Sequence, residues 1–149
     1  MSDQTDSRHG DCYRLSATYM LEHRPRASEP EERPLGSAAP QLQLCHGWPV
    51  LRGDSEHAGR RFGHAWVERS TVHSLPFEDR VVEIESVDCW DSVSGDWIPQ
   101  MFYYRGGEIE SRDVARYSLT EAVAMLESTE HYGPWHENPT GEALFRSDP

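Results

Sequence analysis

A chain of 149 residues with a formal charge of -12 suits a single domain, and its negative surface would repel nucleic-acid phosphates. Only 36% of the residues are hydrophobic, and no apolar run approaches the length that spans a membrane. All 14 basic residues are arginine, which excludes a lysine Schiff base, and three cysteines without paired spacing predict a reduced, cytoplasmic protein.

The first predicted helix spans residues 10–23 and follows a flexible N-terminus over residues 1–10. Asp11 is its predicted N-cap. Apolar residues recur along one helical face, namely Tyr13, Ala17, Met20 and Leu21. Closely spaced prolines then predict a mobile loop or an insertion over residues 24–41.

Three segments in the middle of the chain have strand patterns, over residues 41–50, 62–69 and 80–91. In the second segment, successive side chains alternate between the two faces of the strand. His64, Trp66 and Glu68 share the first face, and Ala65 and Val67 share the second.

The last third of the chain is less regular in pattern. Residues 92–99 break the third strand, and residues 101–109 are ambiguous between a helix and a strand. Residues 114–128 predict a short strand and then a helix, which begins with a capping box of Ser118 and Glu121. Residues 129–149 are expected to form an irregular C-terminal strap. This order predicts one α+β domain over the whole chain, with the N-terminal helix packed on an antiparallel sheet.

Cys12 is the candidate nucleophile, because free N–H groups and the helix dipole stabilise a thiolate at a helix start. The alternative is a small buried residue. His64 is the candidate base, since imidazole can accept a proton and later donate it to a leaving group, although a histidine on a strand is often structural. A carboxylate on the next strand would orient the imidazole. Asp91 is preferred for this role, and Asp88, which faces the other way, is the fallback.

The chain resembles the papain-like superfamily in three features taken together. They are a cysteine at the start of a helix, the strand sequence GHAWVE at residues 63–68, and an aspartate on the following strand. The nearest branch is transglutaminase-like, and leader peptidases of lasso-peptide pathways and small bacterial and phage proteins are similar. The resemblance covers about half the chain, over residues 11–22, 42–49 and 61–96.

This resemblance implies a papain-like core and thiol-dependent acyl chemistry on an amide or isopeptide bond. Cys12 would be the nucleophile, His64 the general base and then acid, and Asp91 the orienter. The expected substrate is a side-chain amide of a peptide or protein, and no cofactor is implied. One feature departs from the papain-like pattern, because no glutamine precedes the cysteine in the sequence DSRHGD at residues 6–11.

Trp66, His131 and Trp135 are predicted to bind the substrate, while the alternative for the last two is a strap packed over the sheet. Zinc chemistry is the rival for the histidines and cysteines, but no C-x-x-C or H-E-x-x-H spacing occurs, so no metal site is predicted. The alternative function is a non-enzymatic binding or accessory protein on the same scaffold, either phage-derived or from a biosynthetic cluster.

Overall fold

The computed structural model describes residues 11–23, 41–53, 56 and 58–135. In chain order the elements are α1 Cys12–Glu22, β1 Gln41–Gly47, β2 His64–Phe77, β3 Arg80–Trp90, β4 Trp97–Pro99, α2 Gln100–Gly107, β5 Ala115–Tyr117 and α3 Leu119–Thr129. A 3-10 turn, Ser111–Asp113, precedes β5. The predicted N-terminus and the predicted loop up to residue 40 lie outside the described residues.

Within the described residues, five strands form one antiparallel sheet in the order β4-β3-β2-β1-β5. Helices α1 and α3 cover one face, where the core consists of Ala17, Met20, Leu44, Val67 and Ala122. On the other face, tyrosines of α2 pack against Cys45, Trp66 and Cys89. The predicted α+β class, with an N-terminal helix on an antiparallel sheet, is confirmed.

Helix α1 follows its predicted pattern, because Tyr13, Ala17 and Met20 are buried. Asp11 occupies the N-cap position, but its side chain makes no capping hydrogen bond. The carboxylate instead pairs with Arg14, 3.0 Å away and one turn along the helix. Asp11 is therefore the N-cap residue, as predicted, but its side chain does not supply the capping hydrogen bond.

Strands β2 and β3 are longer than their neighbours, and β2 runs well past its predicted end. Strand β1 pairs with β2 only as far as Ser70, and β4 pairs with β3 only from Asp88 onward. The segments between, residues 71–86, form a two-stranded projection, here called the distal ribbon. One of its faces carries four exposed apolar side chains, Leu75, Phe77, Val82 and Ile84.

Two short elements arise where the sequence pattern was weak. Strand β4 forms inside the predicted break, and the ambiguous segment becomes α2. The predicted capping box of α3 is confirmed, because Ser118 and Glu121 exchange two hydrogen bonds of 3.1 Å. Residues 131–135 are irregular, and the rest of the predicted strap lies outside the described residues. Among the described helices, none is both long enough and apolar enough to cross a membrane.

Candidate active site

Three chain segments bring the predicted catalytic residues to one place. Cys12 is the first residue of α1, His64 is the first residue of β2, and Asp91 follows the last residue of β3. The register pairs Val67 with Trp90, so Asp91 falls on the same face of the sheet as His64. Both Cys12 and Asp91 interact electrostatically with the His64 ring.

Gly63 explains how closely α1 approaches the start of β2. A Cβ atom at this position would lie 2.6 Å from Tyr13 Oη and 3.0 Å from the Trp48 ring. The first distance is too short for a Cβ atom and the second is tight, so glycine is what allows Tyr13 to reach this point. Because Tyr13 adjoins Cys12 and Gly63 adjoins His64, this contact positions the thiol beside the imidazole.

The His64 ring is oriented by a tyrosine as well as by the aspartate. Its Nε2 lies 2.9 Å from Tyr103 Oη and 3.7 Å from Asp91 Oδ1. The second distance exceeds that of a hydrogen bond, so the aspartate acts on the ring directly through charge. Tyr103 also hydrogen-bonds Asp91. A protonated Nε2 therefore donates to Tyr103, whose own proton is directed to the carboxylate.

These neighbours control the charge of His64. Burial alone would lower its pKa, but the interactions with Cys12, chiefly its charge, and with Asp91 raise the pKa to about 9. The imidazole is therefore protonated at neutral pH. The pKa of Asp91 is lowered. Burial opposes this shift, but the interaction with His64 and the backbone N–H groups of Val93 and Ser94 together outweigh burial.

This shift predicts how stability depends on pH. Because the native pKa of His64 is about 9 and its ordinary value is 6.5, the native state retains a proton that the unfolded state loses between these values. We expect the contribution of His64 to the free energy of unfolding to be greatest below the lower value and to fall by roughly 3 kcal/mol as pH rises through the upper one. Urea titrations across this range measure the slope.

Cys12→Ala is the matched comparison for this titration. The variant removes the largest contribution that raises the pKa of His64, so its stability should fall much less over the same pH range. Identical slopes for the two proteins would show that Cys12 and His64 are not coupled.

The thiol of Cys12 is fully buried, with 0% of the residue exposed. On His64, Nε2 is occupied by Tyr103 and Asp91. The other ring nitrogen, Nδ1, is buried and makes no conventional hydrogen bond to the described residues. Nδ1 is therefore the nitrogen left to exchange a proton with Cys12, whose thiol forms only weak hydrogen bonds.

A second polar group lies further along β2, centred on the buried carboxylate of Glu68. Its oxygens accept hydrogen bonds from Trp66 at 3.0 Å, from Gln100 at 3.2 Å and from Arg116 at 3.3 Å. Tyr104 donates to the same carboxylate. Burial would raise the pKa of Glu68, but these donors hold it below its usual value. We call these five residues the Glu68 cluster.

The Glu68 cluster fixes α2 and β5 to the centre of the sheet. Gln100 and Tyr104 belong to α2, and Arg116 belongs to β5. Tyr103, the partner of His64, lies next to Tyr104 on the same helix. The buried carboxylate thus helps to position the hydroxyl that orients the imidazole.

A cavity of about 430 Å³ opens beside His64 and Asp91 on the face of the sheet covered by α2. Its remaining walls are mostly apolar, and they include Val50, Leu51, Phe62, Val93, Ile98 and Phe102. Cys12 does not line this cavity. The volume of the cavity falls in the range of small-molecule sites.

The residues predicted to bind substrate do not line the cavity. Trp66 is fully buried and donates its indole N–H to Glu68. Trp135 donates to the His131 carbonyl oxygen at 3.0 Å and packs against His46, as the alternative of a strap packed over the sheet implies. Asp88, the fallback orienter, pairs with Arg69 at 3.4 Å rather than with His64.

Sequence reasoning missed Tyr103 and the Glu68 cluster. Core packing is the first explanation for adjacent tyrosines, and nothing local marks a hydroxyl that will meet a histidine 39 residues earlier. Glu68 did carry a usable signal. It shares a buried strand face with His64 and Trp66, and a buried carboxylate requires donors.

Among the described residues, no group of three or more histidine, cysteine or acidic side chains converges as a metal site would require. Comparisons with protein-family models, with curated proteins and with solved structures found no match.

Proposed function

We propose that the protein carries out cysteine-dependent acyl chemistry on an amide or isopeptide bond, as a peptidase, deamidase or transglutaminase-like enzyme of papain-like type. The observation that carries the proposal is the convergence of Cys12, His64 and Asp91, with the pKa of His64 raised to about 9. A protonated imidazole beside a thiol stabilises the nucleophilic thiolate. The proposed setting is cytoplasmic, where Cys12, Cys45 and Cys89 would remain free thiols.

In the proposed reaction, Cys12 Sγ attacks the carbonyl carbon of the substrate and a C–S bond forms. The carbonyl oxygen becomes an oxyanion, which N–H groups at the start of α1 can stabilise. As the oxyanion collapses, the C–N bond breaks and His64 donates its proton to the leaving nitrogen.

The resulting acyl-thioenzyme is resolved by a second nucleophile. Water or an amine gives a proton to His64 and attacks the thioester carbon, and the C–S bond breaks to restore the Cys12 thiolate. Water yields hydrolysis or deamidation, and an amine yields transfer. Asp91 and Tyr103 remain beside Nε2 in both half-reactions and keep the other nitrogen, Nδ1, directed at the thiol.

The alternative is a non-enzymatic binding or accessory protein on the same scaffold. The full burial of Cys12 favours this alternative, because a substrate carbonyl must reach the sulfur. Catalysis therefore requires the Cys12 thiol to become accessible when substrate binds, whereas a binding protein requires no such change.

Selective alkylation separates these functions. At about pH 6.5 we expect iodoacetamide to modify Cys12 at least about tenfold faster than Cys45 or Cys89, as measured by peptide mapping over time. The other cysteines are internal controls, because all three are equally buried at 0% exposure. Burial and the nearby Glu68 carboxylate raise the pKa of both Cys45 and Cys89, which keeps these thiols neutral.

Equal labelling of the three cysteines, or slower labelling of Cys12, would contradict the enzyme proposal and favour the binding protein. A Cys12→Ala form with full biological activity would do the same.

A further inference from the structure

Tyr13 carries a buried hydroxyl group that does not stabilise the fold. The residue is only 2% exposed, and its Oη makes no hydrogen bond within the part of the chain that the structure describes. Burying a hydroxyl without a partner costs free energy, and phenylalanine at this position would avoid that cost. The ring itself is packed, since it meets the His46 ring edge-on with centroids 4.8 Å apart. The hydroxyl therefore requires an explanation other than stability.

The position of this hydroxyl relates it to the candidate catalytic residues. Tyr13 follows Cys12 on α1, and its Oη reaches the backbone at Gly63. This glycine directly precedes His64, and a Cβ atom on it would lie only 2.6 Å from the hydroxyl oxygen. Cys12, Tyr13 and Ala65 form one buried cluster. The hydroxyl and the thiol thus belong to the same buried layer at the start of β2.

An oxyanion needs a donor that lies near the thiol but does not bond to the sulfur. In the proposed attack the C–S bond forms, the π electrons of the carbonyl move to oxygen, and the negative oxygen lies two bonds from Sγ. Tyr13 interacts electrostatically with Cys12, while no hydrogen bond joins these two described residues. Burial and then the charge of Cys12 raise the pKa of Tyr13, so the hydroxyl keeps its proton and remains a donor.

We propose that Tyr13 is a donor of the oxyanion hole, and that its hydroxyl hydrogen-bonds the negative oxygen formed when Cys12 attacks a carbonyl carbon. This inference rests on the proposed acyl chemistry. The hydroxyl acts together with the backbone N–H groups at the start of α1 and keeps its own proton in both half-reactions. The reaction itself supplies the partner that the resting hydroxyl lacks. An interaction made only as the oxyanion develops is the kind that accelerates a chemical step.

Tyr13→Phe tests this role by comparing two reactions of the same thiol. Acylation by p-nitrophenyl acetate passes through an oxyanion, whereas alkylation by iodoacetamide displaces iodide from a saturated carbon and forms none. We expect acylation of Cys12 to slow by roughly 10- to 50-fold, as measured by release of p-nitrophenolate and by the mass of the acetylated peptide. This is less than the ~100-fold usual for one donor, because p-nitrophenolate is readily displaced. Alkylation should stay within about twofold of the wild-type rate.

Tyr19→Phe is the matched control, because it makes the same replacement further along α1, where the ring stacks on His23 and Trp90. Both of its rates should equal those of the wild type. Urea unfolding provides a third measurement. The midpoint of Tyr13→Phe should equal or exceed that of the wild type, since no native hydrogen bond is lost. A lower midpoint would show that the hydroxyl is bonded in the native protein and would overturn the inference.

The two reactions also separate failure of this inference from failure of the proposed function. Acylation of wild-type Cys12 with no loss of rate in Tyr13→Phe would refute the inference alone. Equal losses of acylation and alkylation in the variant would assign the hydroxyl to the packing around the thiol and refute it as well. Alkylation of wild-type Cys12 without any acylation would show that the proposed chemistry is wrong, and the inference with it.

Discussion

Replacing His64 by glutamine is expected to slow the alkylation of Cys12 at about pH 6.5 by up to about 100-fold, because an unassisted thiol is only about 1% ionised two pH units below its pKa. Glutamine preserves much of the side-chain size but cannot carry the positive charge that faces the sulfur. Acyl transfer to Cys12 should fall at least as far, since the general base and acid is also removed. Stopped-time labelling with peptide mapping measures the first effect.

His73→Gln provides the matched control for this variant, since it makes the same replacement on the distal ribbon. Its labelling rate should equal that of the wild type. Tyr103→Phe is expected to give an intermediate result, a fall of roughly 3- to 10-fold, because it removes one hydrogen bond at Nε2 while Asp91 remains. An unchanged rate in His64→Gln would show that Cys12 and His64 do not form a pair.

Replacing Glu68 by alanine is expected to destabilise the protein by roughly 3 to 5 kcal/mol, the usual cost of breaking a buried charged network. The side chain is only 4% exposed and accepts hydrogen bonds from α2 and β5. Its loss leaves Arg116, Tyr104 and Gln100 without their shared acceptor. Urea unfolding monitored by tryptophan fluorescence measures the change.

Glu83→Ala, an exposed glutamate on the distal ribbon, should change stability by less than about 0.5 kcal/mol and serves as the control. Glu68→Gln keeps one carbonyl acceptor and should retain part of the stability, which preserves the test if the alanine variant does not fold. A loss below about 1 kcal/mol in Glu68→Ala would contradict the stabilising role of the cluster.

Much of the fold was predictable because its signals are local. The buried stripe of α1, the alternation at the start of β2 and the capping box of α3 each lie within a few residues of sequence. The distal ribbon was not predictable from alternation alone, because neither of its faces is buried and Pro76 interrupts the strand pattern. Strand β4 exists only through its pairing with β3, which no local pattern encodes.

The candidate site likewise has some residues that are predictable from local sequence and others that are not. Asp91 is predictable as the orienter because it ends the third predicted strand just before a turn, where its side chain can reach across, and alternation along that strand makes Asp88 face the other way. Tyr103 and the partners of Glu68 on α2 and β5 come from segments more than 30 residues away, brought in by the folding of these two elements. Aromatic residues also serve as core, so their hydroxyl groups become informative only once a partner is located.

The distal ribbon is a separable unit of local unfolding. Within the described residues its backbone pairing runs only between β2 and β3, so its outer rungs can break and re-form while the sheet around His64 stays intact. Opening of the ribbon at its tip, around Glu78, therefore does not require any movement of the imidazole at the opposite end of the same strand.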